Sequence, residues 1–140
     1  MANLIQDDED ESKKEGVQYY RALLFYRDKL KVEVLKQSQN IIKILKENIF
    51  LPSVDLDVES KTFFHKLAAD YYRYIAECVE FILLDKTRKA ALLHYQLAEE
   101  ASLSGKGLKP YSAVKLGLTL NHSVFIHEVM KNTKKAIEIA

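Results

Sequence analysis

The sequence predicts an all-α chain, an antiparallel helical bundle, and three observations lead there. Apolar residues recur at helical spacing through most of the chain. No stretch shows the strict alternation of a strand, because the β-branched residues fall inside helical beats. Gly, Pro, Asp and Ser gather at a few points, dividing the chain into long periodic segments joined by short loops, as antiparallel helices require. No fixed-period signature of a short helical repeat is present.

Residues 1–15 are polar and acidic with almost nothing to bury, and they are expected to be a disordered N-terminal segment. Residues 16–140 form the helical domain. From about Gly16 to Asn48 a long helix is expected. Leu30, Val34, Ile41, Leu45 and Ile49 keep its 3.6-residue beat. Leu51–Ser60 breaks that helix, with Pro52 as stop signal and Asp and Ser residues as candidate N-caps. A second helix is expected from about Ser60 to Leu84. Phe64, Leu67, Ala68, Tyr71, Ile75, Cys78, Val79 and Ile82 fall on its core side. Asp85 and Thr87 are candidate caps for a third, packing through Ala90, Ala91, Leu97, Ala98 and Ala101. Ser104–Pro110 is the clearest loop, with two glycines and a proline. A fourth helix follows over about Ser112–Met130, and Asn132 or Thr133 opens a short fifth.

At 140 residues the chain is one domain by size, with 48% apolar and 29% charged residues, the balance of a soluble globular protein. No run approaches the roughly 18 apolar residues of a membrane span. The N-terminus is acidic and lacks an apolar signal core, which argues against secretion. A single cysteine, Cys78, excludes an internal disulfide framework and fits a reducing compartment, so a cytoplasmic location is expected. By phase Cys78 reads as a small buried apolar residue. Five consecutive acids, Asp7–Glu11, carry −5 against a net charge of +1, so the remainder carries +6. That excess is too modest and scattered for a nucleic-acid footprint.

Two helical faces carry the candidate chemistry. On the second helix Lys66, Asp70, Arg73 and Glu77, spaced 4, 3 and 4, form a narrow charged stripe. Tyr74 sits at its edge, placed to pack its ring and extend its hydroxyl to the charges. The stripe reads either as a solvated face with Lys66–Asp70 and Asp70–Arg73 ion pairs, or as an anion-binding face. On the fourth helix Gly117, Asn121, Val124 and Glu128 share one side with Leu120 beside them, while Leu118, Phe125 and Val129 point the other way. A mid-helix glycine costs about 1 kcal/mol relative to alanine, which suggests a close approach to its backbone. Asn121 offers both donors and an acceptor, the combination that pairs with an extended peptide. Helix crowding at Gly117 and a buried amide at Asn121 are the structural alternatives. His65, His94, His122 and His127 lack metal-ligand spacing, and no nucleophile–base motif or phosphate-cradling glycine loop occurs. No enzyme, metal or cofactor is expected.

The wording of three segments is specific. Ser60–Glu77, SKTFFHKLAADYYRYIAE, closely resembles the fifth helix of the 14-3-3 family, S-K-V-F-Y-x-K-x-x-x-D-Y-Y-R-Y-x-A-E. Lys115–Met130, KLGLTLNHSVFIHEVM, resembles its seventh, R-L-G-L-A-L-N-x-S-V-F-x-x-E. Tyr26–Pro52 is similar to its fourth, with one residue's difference in length. The blocks stand in family order, and the match runs roughly from Tyr26 to Ala140. The resemblance implies the central part of the 14-3-3 fold, from the fourth helix to the start of the eighth, incomplete at both ends.

It also implies roles. Arg73 and Tyr74 match the pair that holds a ligand's phosphate, Lys66 a lysine that contacts the peptide main chain, and Asn121 the asparagine that bonds the peptide backbone. Leu120 and Val124 match apolar groove walls, and Glu128 a polar rim position. Gly117 shares that face. Asp70 is expected to orient Arg73. Tyr26, Lys29 and Glu33 fall where the family's fourth helix joins a dimer interface. The family's third-helix lysine and arginine, which complete the phosphate site, have no counterpart, and neither do the last two helices. The implied function is therefore a weakened phosphoserine- or phosphothreonine-peptide adaptor with phosphorylated proteins as partners. A homo- or heterodimer is compatible with it, and no membrane or nucleic acid is involved. The alternative is a helical oligomerisation protein of the same fold without phosphate-dependent binding.

Overall fold

The computed structural model describes the backbone of residues 2–140 and the side chains from Glu9 onward. Among the described residues there are five helices and no strand: α1 (Ala2–Asn48), α2 (Val58–Cys78), α3 (Phe81–Leu103), α4 (Ala113–Glu128) and α5 (Thr133–Ile139). The chain divides into two units, Met1–Glu33 and Val34–Ala140.

In the first unit helix begins at Ala2, well before the start near Gly16 that composition suggests. Residues 9–15 contain no helix breaker, and Glu9/Lys13 and Asp10/Lys14 stand four apart with the acid first, the favourable order. Such a segment needs no core to be helical, and it finds none. Every described side chain from Glu9 to Leu23 is exposed. Val17, Tyr20, Tyr26 and Leu30 lie exposed on this unit's helix.

The second unit holds the core. Ser38, Ile42 and Leu45 are the buried side of the C-terminal part of α1. At the start of α2 the Asp57 carboxylate accepts a hydrogen bond from the Ser60 amide at 2.7 Å, satisfying a donor that the first turn leaves unpaired. α2 and α3 pack antiparallel, and Ala69, Ala76, Ala91 and Ala98 keep the surface between them small. Tyr95, Phe125, Leu118 and Ile126 are the largest enclosed side chains, each of the apolar ones contributing about 1.5–3 kcal/mol by burial. Val129 and Ala136 complete the cluster from the α4–α5 end.

One boundary differs from the sequence expectation. The helix expected to run from Ser60 to Leu84 ends at Cys78, and α3 starts at Phe81 rather than at Asp85 or Thr87. Neither glycine nor proline marks the break. Phe81 takes φ +54°, a conformation costly for a side chain with a Cβ, because the chain must reverse there for α3 to lie along α2. Ile82, expected on the core side of α2, therefore begins α3 and is 74% exposed. Thr87 is buried within α3, and its hydroxyl donates to the Leu83 carbonyl at 2.6 Å. Cys78 is half-buried at the last turn of α2 rather than fully enclosed.

The other boundaries follow their signals. After α3 the glycines supply positive φ, +59° at Gly105 and +66° at Gly107, and the Leu108 amide closes back on the Ser102 carbonyl at 2.7 Å. Asn132 caps α5 through its side-chain oxygen, which accepts from the Lys135 amide at 3.1 Å. Among the described residues no helix is long and apolar enough to cross a membrane.

Candidate functional site

The charged stripe of α2 is not a solvated face. Asp70 is 5% exposed, and the Lys66 and Arg73 side chains are largely covered as well. A buried carboxylate is tolerated only when its oxygens are bonded. Asp70 meets that demand with donors from three helices. Lys66 Nζ of α2 and Asn121 Nδ2 of α4 both donate to Oδ2 at 2.8 Å, and the Tyr95 hydroxyl of α3 donates to Oδ1 at 2.6 Å. Tyr95 is fully enclosed, and burial together with the adjacent Asp70 carboxylate pushes its phenol well above the usual range, so it stays a donor.

Of the two ion pairs that helical spacing suggests, Lys66–Asp70 forms, at 2.8 Å. Arg73 instead reaches Glu77, at 3.4 Å and exposed on the Glu77 side. Its link to Asp70 runs through Tyr95, whose hydroxyl lies against the guanidinium. Burial alone would favour the neutral form of Arg73, but Tyr95, Tyr74 and Asp70 outweigh it and raise the pKa, so the side chain is a fixed cation. The guanidinium stacks over the Tyr74 ring at 4.7 Å, and its Nε is buried with no partner. Tyr74 in turn packs edge-on against Tyr71, with ring centres 5.5 Å apart. A cation held on an aromatic shelf, with incomplete hydrogen bonding, is suited to receiving oxyanion oxygens.

The α4 residues lie as their shared face requires. Asn121 and Val124 are half-buried, Leu120 is 62% exposed, and Glu128 is exposed. Gly117 has a concrete reason to be glycine: a Cβ there would stand 3.2 Å from Lys66 Cε. The close approach suggested by this mid-helix glycine is thus the Lys66 stem crossing α4. Lys66, Arg73, Tyr74, Gly117 and Asn121 are brought together around Asp70. Tyr26, Lys29 and Glu33 belong to the first unit and are exposed on α1.

Sequence reasoning missed Tyr95, the residue that ties Asp70 to Arg73. It stands in phase with Ala91 and Ala98, so the packing face of α3 held the signal. Two histidine contacts were also missed. His122, buried against the Tyr95 ring at 4.9 Å, pairs through Nδ1 with Glu99 at 2.6 Å. His65 and His94 approach with their Nδ1 atoms 3.1 Å apart, and Phe50 stacks on both. Among the described residues no group of three or more metal-ligating side chains occurs.

The comparisons agree with the wording of the segments and extend it. The family model described as "14-3-3 protein" matches residues 2–140, so the match begins well before Tyr26. The 14-3-3 protein 2 of Entamoeba histolytica is 34% identical over 133 residues, covering 95% of this chain and 54% of that protein. The 14-3-3 protein 3 of the same organism is 39% identical over 118 residues, covering 82% and 46%. Protein BMH1 of Saccharomyces cerevisiae is 33% identical over 134 residues, covering 96% and 49%. The chain spans about half the length of the curated relatives it matches. With its helical order, the Arg73–Tyr74 pair and a match over nearly every residue, the chain belongs to the 14-3-3 protein family.

Proposed function

We propose that this chain binds phosphoserine or phosphothreonine peptides as an adaptor, without covalent chemistry. The observation that carries the reading is the Arg73 guanidinium, kept charged on the Tyr74 ring beside the Lys66–Asp70–Asn121 cluster. A phosphate with close to two negative charges displaces Glu77 from Arg73 and takes its donors in a planar fork. Lys66 and Asn121 then divide their hydrogen bonds between Asp70 and the peptide main chain. Leu120 and Val124 line the apolar wall, Gly117 leaves space for Lys66, and Glu128 stands at the rim. One arginine and one phenol hold phosphate weakly, so affinity below that of a complete phosphate cradle is part of this proposal. Phosphorylated proteins are the partners, in the cytoplasm, and Tyr26, Lys29 and Glu33 are proposed for a homo- or heterodimer contact.

The second reading is a helical oligomerisation protein without phosphate dependence. The exposed Val17, Tyr20, Tyr26 and Leu30 of the first unit favour it. Fluorescence anisotropy with a phosphoserine peptide and its unphosphorylated twin separates the two. The first reading expects binding that needs the phosphate and falls about tenfold or more in Arg73→Ala, the loss of a charged hydrogen-bonding group. Equal binding of both peptides, or none, rejects it.

A further inference from the structure

At 100° per residue, Tyr72, Ile75 and Val79 stand on the side of α2 opposite the Arg73 stripe. They border a cleft of about 400 Å3, wholly within the second unit, which Ile42 of α1 and Leu83 of α3 also line. This volume falls in the range of small-molecule sites. Two ammonium groups, Lys43 and Lys46, edge it. Lys46 lies over the Tyr72 ring at 5.8 Å and makes no ion pair among the described residues. Lys43 reaches Glu47, the one acid on the lining, only at 3.9 Å, and both side chains are largely exposed.

We infer that this cleft binds a small amphiphilic anion, a single carboxylate on an aliphatic chain, with its tail on Ile42, Ile75, Val79 and Leu83 and its head group at Lys43 and Lys46. The charge pattern selects the class. A cationic amphiphile would set its head group against two ammonium ions, and a neutral one would leave both without a new partner. A bare phosphate would gain nothing from the apolar floor. Only a ligand with one anionic end and one apolar end uses every surface of the cleft. Because the cleft and the Arg73 stripe occupy opposite sides of α2, the inference stands apart from the phosphopeptide reading.

The test is calorimetric titration of the full chain with octanoate, decanoate and dodecanoate below their micelle concentrations, with decanol as the neutral control. Methyl NMR locates the ligand. Saturable one-site binding is expected, with the methyl signals of Ile42, Ile75 and Val79 shifting on addition. Each added methylene should tighten binding about three- to fourfold. Lys43→Gln/Lys46→Gln, at exposed positions that leave the helical circular dichroism unchanged, should weaken decanoate about fivefold, as two partly solvated ion pairs predict. Decanol binding as tightly as decanoate, an unchanged affinity in the double variant, shifts confined to other methyls, or no saturable binding would each overturn the inference.

Discussion

Asp70 is the residue on which the site depends. Its carboxylate sits where water hardly reaches, and Lys66, Asn121 and Tyr95 supply the donors that satisfy its two oxygens. Tyr95→Phe would leave Oδ1 buried without its donor while preserving the ring against Phe125 and His122. The expected cost is about 1.5–3 kcal/mol in urea denaturation, the penalty for a charged group that loses a buried bond. A stability equal to wild type would show that Asp70 finds another partner. Gly117→Ala tests the opposite balance. The added methyl gains up to about 1 kcal/mol of helix propensity, and it meets only the flexible stem of Lys66 at 3.2 Å. Stability should therefore hold or rise slightly, because the Lys66 stem need yield only a few tenths of an ångström while its ammonium keeps Asp70. Peptide affinity should fall modestly as the stem shifts. A loss of more than about 1 kcal/mol would mean that the α4 backbone cannot yield there.

Spacing along one helix shows which of these residues share a face, and it correctly groups Lys66, Asp70 and Arg73, and separately Gly117, Asn121 and Val124. It does not show what covers a face. The α2 stripe has the charge density of an outer surface, yet α3 and α4 lie over it, and the phenol that organises it comes from 25 residues away.

At the scale of elements, α2 and α3 are joined by a histidine pair with an unusual proton balance. His65 and His94 face each other through Nδ1, with the Phe50 and Tyr72 rings stacked on them and Lys46 and Lys61 as neighbouring cations. Burial, then the neighbouring His65 and Lys46, lower His94 to about 4, and burial with Lys61 lowers His65. Both rings are neutral at pH 7 and share one N–H. In the unfolded chain each titrates near 6.5, so below that pH the unfolded state takes up more protons than the folded one. Stability contributed by the pair is complete above about pH 6.5 and is lost as the pH falls toward 4. We expect a loss on the order of 1–2 kcal/mol across that window, allowing for partial solvent access, and a smaller one in His94→Gln. Equal acid sensitivity of the two proteins in thermal melts would assign the effect to carboxylates instead.

The helix ends illustrate the same division. Asp57 and Asn132 cap their helices as their local chemistry dictates, and Gly105 and Gly107 mark the end of α3. The stop at Cys78 has no local signal. It is imposed by the antiparallel packing of α3, at the expense of a strained Phe81.

For the whole molecule, the two units differ in what protects their backbone. Val34–Ala140 encloses the aromatic and alanine core, whereas the described side chains of Met1–Glu33 are exposed apart from half-buried Leu24. A helix with so little buried surface opens locally at small cost. Hydrogen exchange should therefore show amides 10–30 exchanging orders of magnitude faster than those of Ala69–Ala76 and Ala91–Ala98. Comparable protection in isolated monomer would contradict this. Protection that appears only at high concentration would point to association through the exposed apolar residues.

By itself the sequence determined the all-α class, the caps of α2 and α5, the glycine loop after α3 and the membership of the 14-3-3 family. All of these rest on spacing and wording within single segments. Tertiary structure alone decided that the α2 stripe is buried, that Tyr95 links Asp70 to Arg73, that His65 meets His94, and that α2 stops at Cys78. The physical reason is range. Periodicity is set by neighbours three or four residues apart, while these contacts join residues 25, 29 and 51 positions apart, whose meeting depends on how the helices pack.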